Sequence, residues 1–258
     1  MKFKFLGAAA VLGVGSMLFA FTANAKELKS GYYFSIPETQ AMQDDDFTNP
    51  GMLWTDIGES EWSKVDGAAK KSCASCHGNA AETMKGVATK YPMYDPDRKK
   101  LINLEQRINK DRTQYMKAKA LKWDKDRLLG LTLYVKLQSR GMPMNVKIDG
   151  PAKPFYEKGK KFYNTRRGLL DMACKNCHVD NAGKMIRANK LSDGVSTGFP
   201  AYRLKWQKVG SLHRRFRGCN KQVRAQPYKQ GADEYVNLEL FLAKRGGSIP
   251  LEAPAVRM

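Results

Sequence analysis

The sequence predicts an all-α protein made of two tandem copies of one helical domain, with long loops inside each copy. Three observations lead to that expectation. The pentapeptide C-x-x-C-H occurs twice, as "CASCH" (Cys73, Cys76, His77) and "CKNCH" (Cys174, Cys177, His178), 101 residues apart. Segments downstream of the first copy recur, in order, downstream of the second. Apolar residues at helical spacing close each copy.

The two pentapeptides take four of the five cysteines and two of the three histidines. C-x-x-C-H is the attachment signature of c-type haem: two thiols for the two porphyrin vinyl groups, and an adjoining imidazole as an iron ligand. Zinc and disulfides compete for any C-x-x-C pair, but zinc would need its remaining ligands from the same small pool. Two covalently attached haem c groups use all of these residues. Each copy is therefore expected to be a cytochrome c-like domain, with His77 and His178 as proximal iron ligands.

Taken from the N-terminus, the first element is a leader. Lys2 and Lys4 precede the apolar run "FLGAAAVLGVGSMLFAF", and Ala23-Asn24-Ala25 closes it. This reads as a secretory signal peptide over residues 1–25, too short and wrongly ended for an anchor. No later stretch is apolar enough to span a bilayer. The expected location is the bacterial periplasm, where c-type haem is attached. The chain carries 45 Lys and Arg against 25 Asp and Glu, and two of the lysines belong to the leader, leaving 43 against 25, or +18. Nucleic acid is not an expected partner of an exported chain. The positive surplus suits an anionic substrate or an acidic protein partner, whose encounter it accelerates.

The first domain is expected over residues 26–150 and the second over 151–258, with Gly150-Pro151 as the break. Short helices are predicted before each haem motif, near "ESEWSKVDGAAKKS" and "PFYEKGKKFYNTRRG". Longer helices close each copy. In "KDRLLGLTLYVKLQSR", Leu128, Leu131, Tyr134, Val135 and Gln138 follow i, i+3, i+4 steps up to Gly141 and Pro143. "DEYVNLELFLAKRGG" behaves likewise and stops at Gly246-Gly247.

Between motif and closing helix lies the second half of the repeat. "LEQRINKD" (104–111) matches "LHRRFRGC" (212–219) at an offset of 108, and "LTLYVKLQSRGMP" matches "LELFLAKRGGSIP" at 107. Leu104 pairs with Leu212, Arg107 with Arg215, and Asp111 with Cys219. In small cytochromes of this plan the excursion after C-x-x-C-H delivers the second axial ligand, so Cys219 is the expected distal ligand of the second haem. Arg214, Arg215, Arg217, Lys221 and Arg224 surround it and favour thiolate over thiol. His213 is the rival ligand, but its repeat counterpart is Glu105, a poor haem ligand. In the first copy Asp111 stands where a ligand would be. Met116, five residues on, is a candidate there, as are Met84, Met93, Met142 and Met144, and so is an open iron position.

These residues resemble the SoxA family, the catalytic subunit of the SoxAX cytochrome of bacterial thiosulfate oxidation. The resemblance covers essentially the whole chain after the leader. It is carried most strongly by "HRRFRGCNKQVRAQPYKQGADEYVNLELFLAKRG", then by "YPMYDPDRKKLINLEQRIN" and the two haem motifs. It implies that Cys219 ligates the active-site haem and carries a persulfide, and that Arg215 contacts the substrate. The implied activity is that of an L-cysteine S-thiosulfotransferase: thiosulfate is joined to a cysteine of a SoxYZ-like carrier. The electrons leave through a SoxX-like mono-haem subunit to a soluble cytochrome c acceptor. Chemistry agrees, because thiosulfate is a dianion that a guanidinium fork can hold, and sulfur on iron can be attacked as in thiol–disulfide exchange. Lys208, Arg214 and Arg217 add positive charge. The sequence departs from the family at Asp111, where di-haem members carry a second ligating cysteine. Two other readings use the same ligands: a non-catalytic di-haem electron carrier, and a thiosulfate dehydrogenase that forms tetrathionate.

Overall fold

A computed structural model describes Met1 and residues 26–258. The expected leader, apart from Met1, falls outside the described residues. Among the described residues no helix is long and apolar enough to cross a membrane.

The N-terminal half runs α1 (Pro37–Asp44), α2 (Met52–Ser63), α3 (Ala74–His77), α4 (Ala80–Thr83), β1 (Met93–Asp95), β2 (Lys100–Ile102), α5 (Leu104–Gln114) and α6 (Asp126–Leu137). The C-terminal half runs α7 (Lys153–Asn164), α8 (Cys174–His178), β3 (Met185–Ile186), β4 (Asn189–Lys190), β5 (Ala201–Arg203), β6 (Lys208–Gly210), α9 (Leu212–Gln222), α10 (Asp233–Arg245) and β7 (Ala255–Arg257). Helix dominates, yet the expectation of an all-α protein is corrected by these short strands. β1 and β2 form one antiparallel hairpin, β3 and β4 another, and β5 is flanked by antiparallel β6 and parallel β7. The physical reason is the length of the excursion between each haem motif and the helix that follows. A chain folded back against the core has backbone donors and acceptors that must be paired, and strands of two or three residues pair them.

The two halves repeat each other. α2 crosses α6, and α7 crosses α10, in the same way. Glycine permits both crossings: a Cβ on Gly58 would strike the Gly130 carbonyl, and one on Gly159 the Asn237 carbonyl. The turns before the motifs match, with bridges Asp66–Lys71 and Arg167–Met172. Strands β1 and β2 correspond to β5 and β6, each pair opening after a cis proline, Pro92 and Pro200. α5 and α9 then start from side-chain caps, Asn103 and Ser211; Asn103 and Gln106 form a full capping box. The repeat thus extends back from residue 104 to residue 91, farther than the sequence match alone. Pro143 and Pro250, partners in the repeat, face each other across an isolated bridge.

Core packing follows the same division. Trp62, Leu104, Leu128, Leu131 and Val135 bury one cluster, and Tyr163, Leu212, Phe216, Tyr235 and Leu238 another. The halves are tied at the seam. Leu101 of β2 packs with Val236 and Leu240 of α10. Near the N-terminus, α1 lies against β7, where Gln43 Oε1 accepts from the Val256 amide at 3.0 Å.

Candidate functional site

The second haem motif forms α8, a single turn capped by Asn176, whose Oδ1 accepts from the Ala173 amide at 2.9 Å. One turn of helix places Cys174, Cys177 and His178 on a common site. The loop that follows folds back onto the imidazole: His178 Nδ1 lies 2.8 Å from the Ser192 carbonyl oxygen. That contact assigns the proton to Nδ1 and leaves Nε2 with its lone pair. Gly194, at φ +70°, lets the loop lie flat on the ring, since a Cβ there would come 2.7 Å from His178 Cγ. Arg245 holds the same loop through the Asp193 carbonyl oxygen.

α9 brings Cys219 to this site, with Arg215 one turn before it. Burial alone would raise the Cys219 thiol pKa. The Arg215 charge, the His178 imidazole and the Arg203 charge outweigh it and bring the thiol down to about 7. The two motif thiols feel the opposite balance. Burial, then the neighbouring Cys219, push Cys174 up to about 12, and the same two causes raise Cys177. Cys174, Cys177, His178, Arg215 and Cys219 are therefore brought together as expected. The sequence reading missed Arg203. It reaches the site from β5, and burial and the neighbouring Arg215 charge lower its pKa to about 10. Its sequence signal is the offset of 108, at which its counterpart Asp95 carries the opposite charge. Lys208 sits opposite Arg203 in the β5–β6 register. Arg214 lies over the Trp206 ring at 4.5 Å, and Arg217 is engaged by the Tyr228 carbonyl oxygen.

His213 is not placed to ligate iron. It is buried and stacked on Trp123 at 5.2 Å and 7°, accepts from the Gly231 amide through Nδ1 at 2.9 Å, and has Nε2 3.2 Å from Glu239.

In the N-terminal half, α3 carries Cys76 and His77, with Cys73 just before it packed against the apolar cluster around Trp62. The Trp62 ring lies 5.8 Å from the His77 ring, and its Nε1 donates to the Gly78 carbonyl at 3.0 Å. Asp111, the counterpart of Cys219, is engaged by Arg107 Nε at 2.9 Å from both carboxylate oxygens. Met116 and Met84 are buried, Met142 and Met144 half-buried, and Met93 exposed.

Neither C-x-x-C pair forms a disulfide. Among the described residues no group of three or more His, Cys, Asp or Glu is arranged to hold a bare metal ion. The donor set instead suits a porphyrin, with two thiols and one imidazole per motif. Orphaned polar atoms point the same way. The buried Nε atoms of Arg112 and Arg127 have no partner, and both residues line a cleft whose Arg112 charge acts on Cys73. In the C-terminal half the buried Tyr163 hydroxyl is likewise unpartnered, close enough to Cys174 for the thiol's charge to act on it. Such groups can meet the carboxylates and edge of a macrocycle.

Comparison with known proteins agrees with this geometry. Residues 57–144 match the model of the SoxA/TsdA cytochrome c domain, and a cytochrome c domain carries covalent haem c. The chain is 45% identical over 229 residues to the L-cysteine S-thiosulfotransferase subunit SoxA of Pseudaminobacter salicylatoxidans, covering 88% of this chain and 80% of that protein. It is 41% identical over 239 residues to the subunit of the same name from Paracoccus pantotrophus, covering 92% and 82%. The crystal structure of SoxXA from P. pantotrophus superposes with a TM-score of 0.86 at 41% identity, over 90% of this chain and 87% of that one. The chain belongs to the SoxA family of L-cysteine S-thiosulfotransferase subunits.

Proposed function

We propose that this protein joins thiosulfate to a cysteine of a carrier protein, with Cys219 as the reacting sulfur and Arg215 as a residue that holds the anion. The observation that carries this reading is the setting of Cys219: a thiol beside the His178 imidazole and the Arg215 guanidinium, with no side-chain carboxylate paired to Arg215 among the described residues. Relatives across 88% and 92% of the chain bear the name of the same transferase. Two haems are attached, through Cys73/Cys76 with His77 and through Cys174/Cys177 with His178. Haem supplies an iron that binds sulfur and accepts electrons. The first belongs to a cytochrome c-like domain over 26–150 and the second to one over 151–258.

The protein's own residues divide the work. Arg215 binds the sulfonate end of thiosulfate, which turns the sulfane sulfur toward Cys219. The Ser192 carbonyl keeps the His178 proton on Nδ1, so the ring faces Cys219 through Nε2. The Cys219 thiolate and the sulfane sulfur form an S–S bond, releasing two electrons. The carrier thiolate then attacks the sulfane sulfur bonded to Cys219; the S–S bond to Cys219 breaks, thiosulfate is left on the carrier through the new S–S bond, and the Cys219 thiolate is returned. Overall, one carrier thiol and one thiosulfate yield the S-thiosulfonate, one proton and two electrons. The electrons pass to a SoxX-like subunit, as the SoxXA neighbour suggests, and on to a soluble cytochrome c acceptor. The leader over residues 1–25 directs the chain to the periplasm, where a SoxYZ-like carrier meets it.

Cys219→Ala tests the assignment. Both haems should remain by pyridine haemochrome assay, because no attachment residue is touched. Carrier conjugation should fall about a thousandfold or more. Conjugation at the parent rate would remove Cys219 from the chemistry.

A further inference from the structure

We infer that Asp193 is a positioning residue for His178, and that the segment beginning at Lys26 straps it in place. This rests on haem attachment at Cys174 and Cys177 and is independent of the chemistry assigned to Cys219. The Nδ1 proton of His178 is held by the Ser192 carbonyl oxygen at 2.8 Å. Asp193 is the next residue, so whatever fixes it also fixes that acceptor. Its side chain is 1% exposed. One carboxylate oxygen accepts from Lys26 Nζ at 2.6 Å, and the other from the Lys29 amide at 2.9 Å. Its carbonyl oxygen accepts from Arg245 Nη1, and Arg245 Nη2 donates to the His178 carbonyl oxygen at 3.5 Å. Gly194 follows, flat on the imidazole.

A carboxylate withdrawn from water is costly unless it is paired. Here both of its donors come from a segment 167 and 164 residues earlier in the chain. Lys26 is the first residue after the expected leader. The segment does not need this ion pair to be anchored, because Gly31–Phe34 already pack on β7. What the pair fixes is the loop on His178. Outer partners of a ligating histidine set its orientation and basicity, and a negative charge on that side favours the oxidised iron.

The repeat supplies an independent comparison. "KGVAT" (85–89) stands at an offset of 108 from "DGVST" (193–197), and Gly86 and Gly194 share a positive φ, +74° and +70°. The counterpart of Asp193 is Lys85, which is exposed. A Cβ on Gly86 would meet Met142 at 3.3 Å, where one on Gly194 would meet His178 at 2.7 Å. The first loop thus carries the opposite charge and lies off its imidazole, and His77 faces Trp62 instead. The strap serves only the half that holds Cys219.

The test is a redox titration of the haem-loaded complex followed by EPR, which reads the two haems separately. Asp193→Asn keeps the shape and loses the charge. At a fixed potential it should move the ferrous-to-ferric ratio of the second haem about threefold or more toward ferrous and leave the first haem unchanged. Hydrogen exchange gives a second reading. Lys26→Ala should speed exchange over residues 184–196 about tenfold, and Lys26→Arg should restore the parent rate. A second haem that titrates as in the parent would show that Asp193 only fastens the N-terminal segment; an equal shift at both haems would show a general charge effect. Either result overturns the inference and leaves the Cys219 reading standing. A parent protein with no haem on Cys174 and Cys177 would overturn the haem assignment as well. Should Asp193→Asn fail to assemble, Lys26→Ala decides: parent-like exchange together with a parent-like titration of the second haem would overturn the inference.

Discussion

Arg107 and Arg215 occupy the same place in the two halves, one turn before the counterpart residues Asp111 and Cys219, and they are used in opposite ways. Arg107 is spent on a carboxylate of its own helix at 2.9 Å. Arg215 is left without one and lowers the pKa of a thiol instead. Haem motif, hairpin, capped helix and closing helix are common to both halves, so the fold alone does not make a site. What sets the C-terminal half apart is a sulfur beside an arginine that no side-chain carboxylate engages, where the N-terminal helix has Asp111 on Arg107.

Arginine replacement sharpens this comparison most. Arg215→Ala should lower kcat/KM for thiosulfate by about 30- to 150-fold, the loss of one charge-assisted contact of about 2–3 kcal/mol in a partly buried site. Arg107→Ala should leave kcat/KM within about twofold. Equal losses in steady-state assays of the two variants would mean that the halves share the chemistry.

The helix crossings probe the part of the comparison that should hold symmetrically. Gly58→Ala and Gly159→Ala each press a methyl group against a facing carbonyl. Each should cost about 1–3 kcal/mol, read as a lower denaturation midpoint. A loss in only one variant would show that the crossings are not equivalent.

Much of this plan was legible beforehand. The haem motifs need specific residue types at fixed spacing, so they announce themselves. Helices α6 and α10 were visible because burial imposes a 3.6-residue period on Leu128, Leu131 and Val135. Cys219 stood out as the unpaired thiol at the repeat position. The strands were not legible, since three residues carry no usable period and β5 pairs with β7 more than fifty residues away. Arg203 was hidden for a related reason. It is one of 45 basic residues, and only the pairing of β5 with β6 and β7 brings it near the helix that carries Cys219. The Arg107–Asp111 pair sits at i, i+4 and could have been read as an ion pair.

The smallest effect concerns the seam between the halves. Glu105, repeat counterpart of His213, has its carboxyl raised to about 7 by burial, then by Glu239, while the His213 and Lys136 charges pull it down. Its folded value lies above the ordinary 4.5, so the folded protein holds a proton that the unfolded chain releases. Stability from this group is present in full below that ordinary value and is lost as pH rises through about 7. Glu105→Gln should flatten the fall in denaturation midpoint between roughly pH 5 and pH 8. A slope equal to the parent's would assign the dependence to other groups.

The central claim, that only the C-terminal half reacts, is tested most directly by locating the sulfur. The haem-loaded complex is mixed with thiosulfate and an oxidised cytochrome acceptor in the absence of carrier, then digested without reductant and mapped by mass spectrometry. The peptide containing Cys219 should gain the mass of a thiosulfate group, and adding carrier thiol should remove it. A Cys219 peptide that stays unmodified while the same preparation conjugates its carrier at the normal rate would contradict the account.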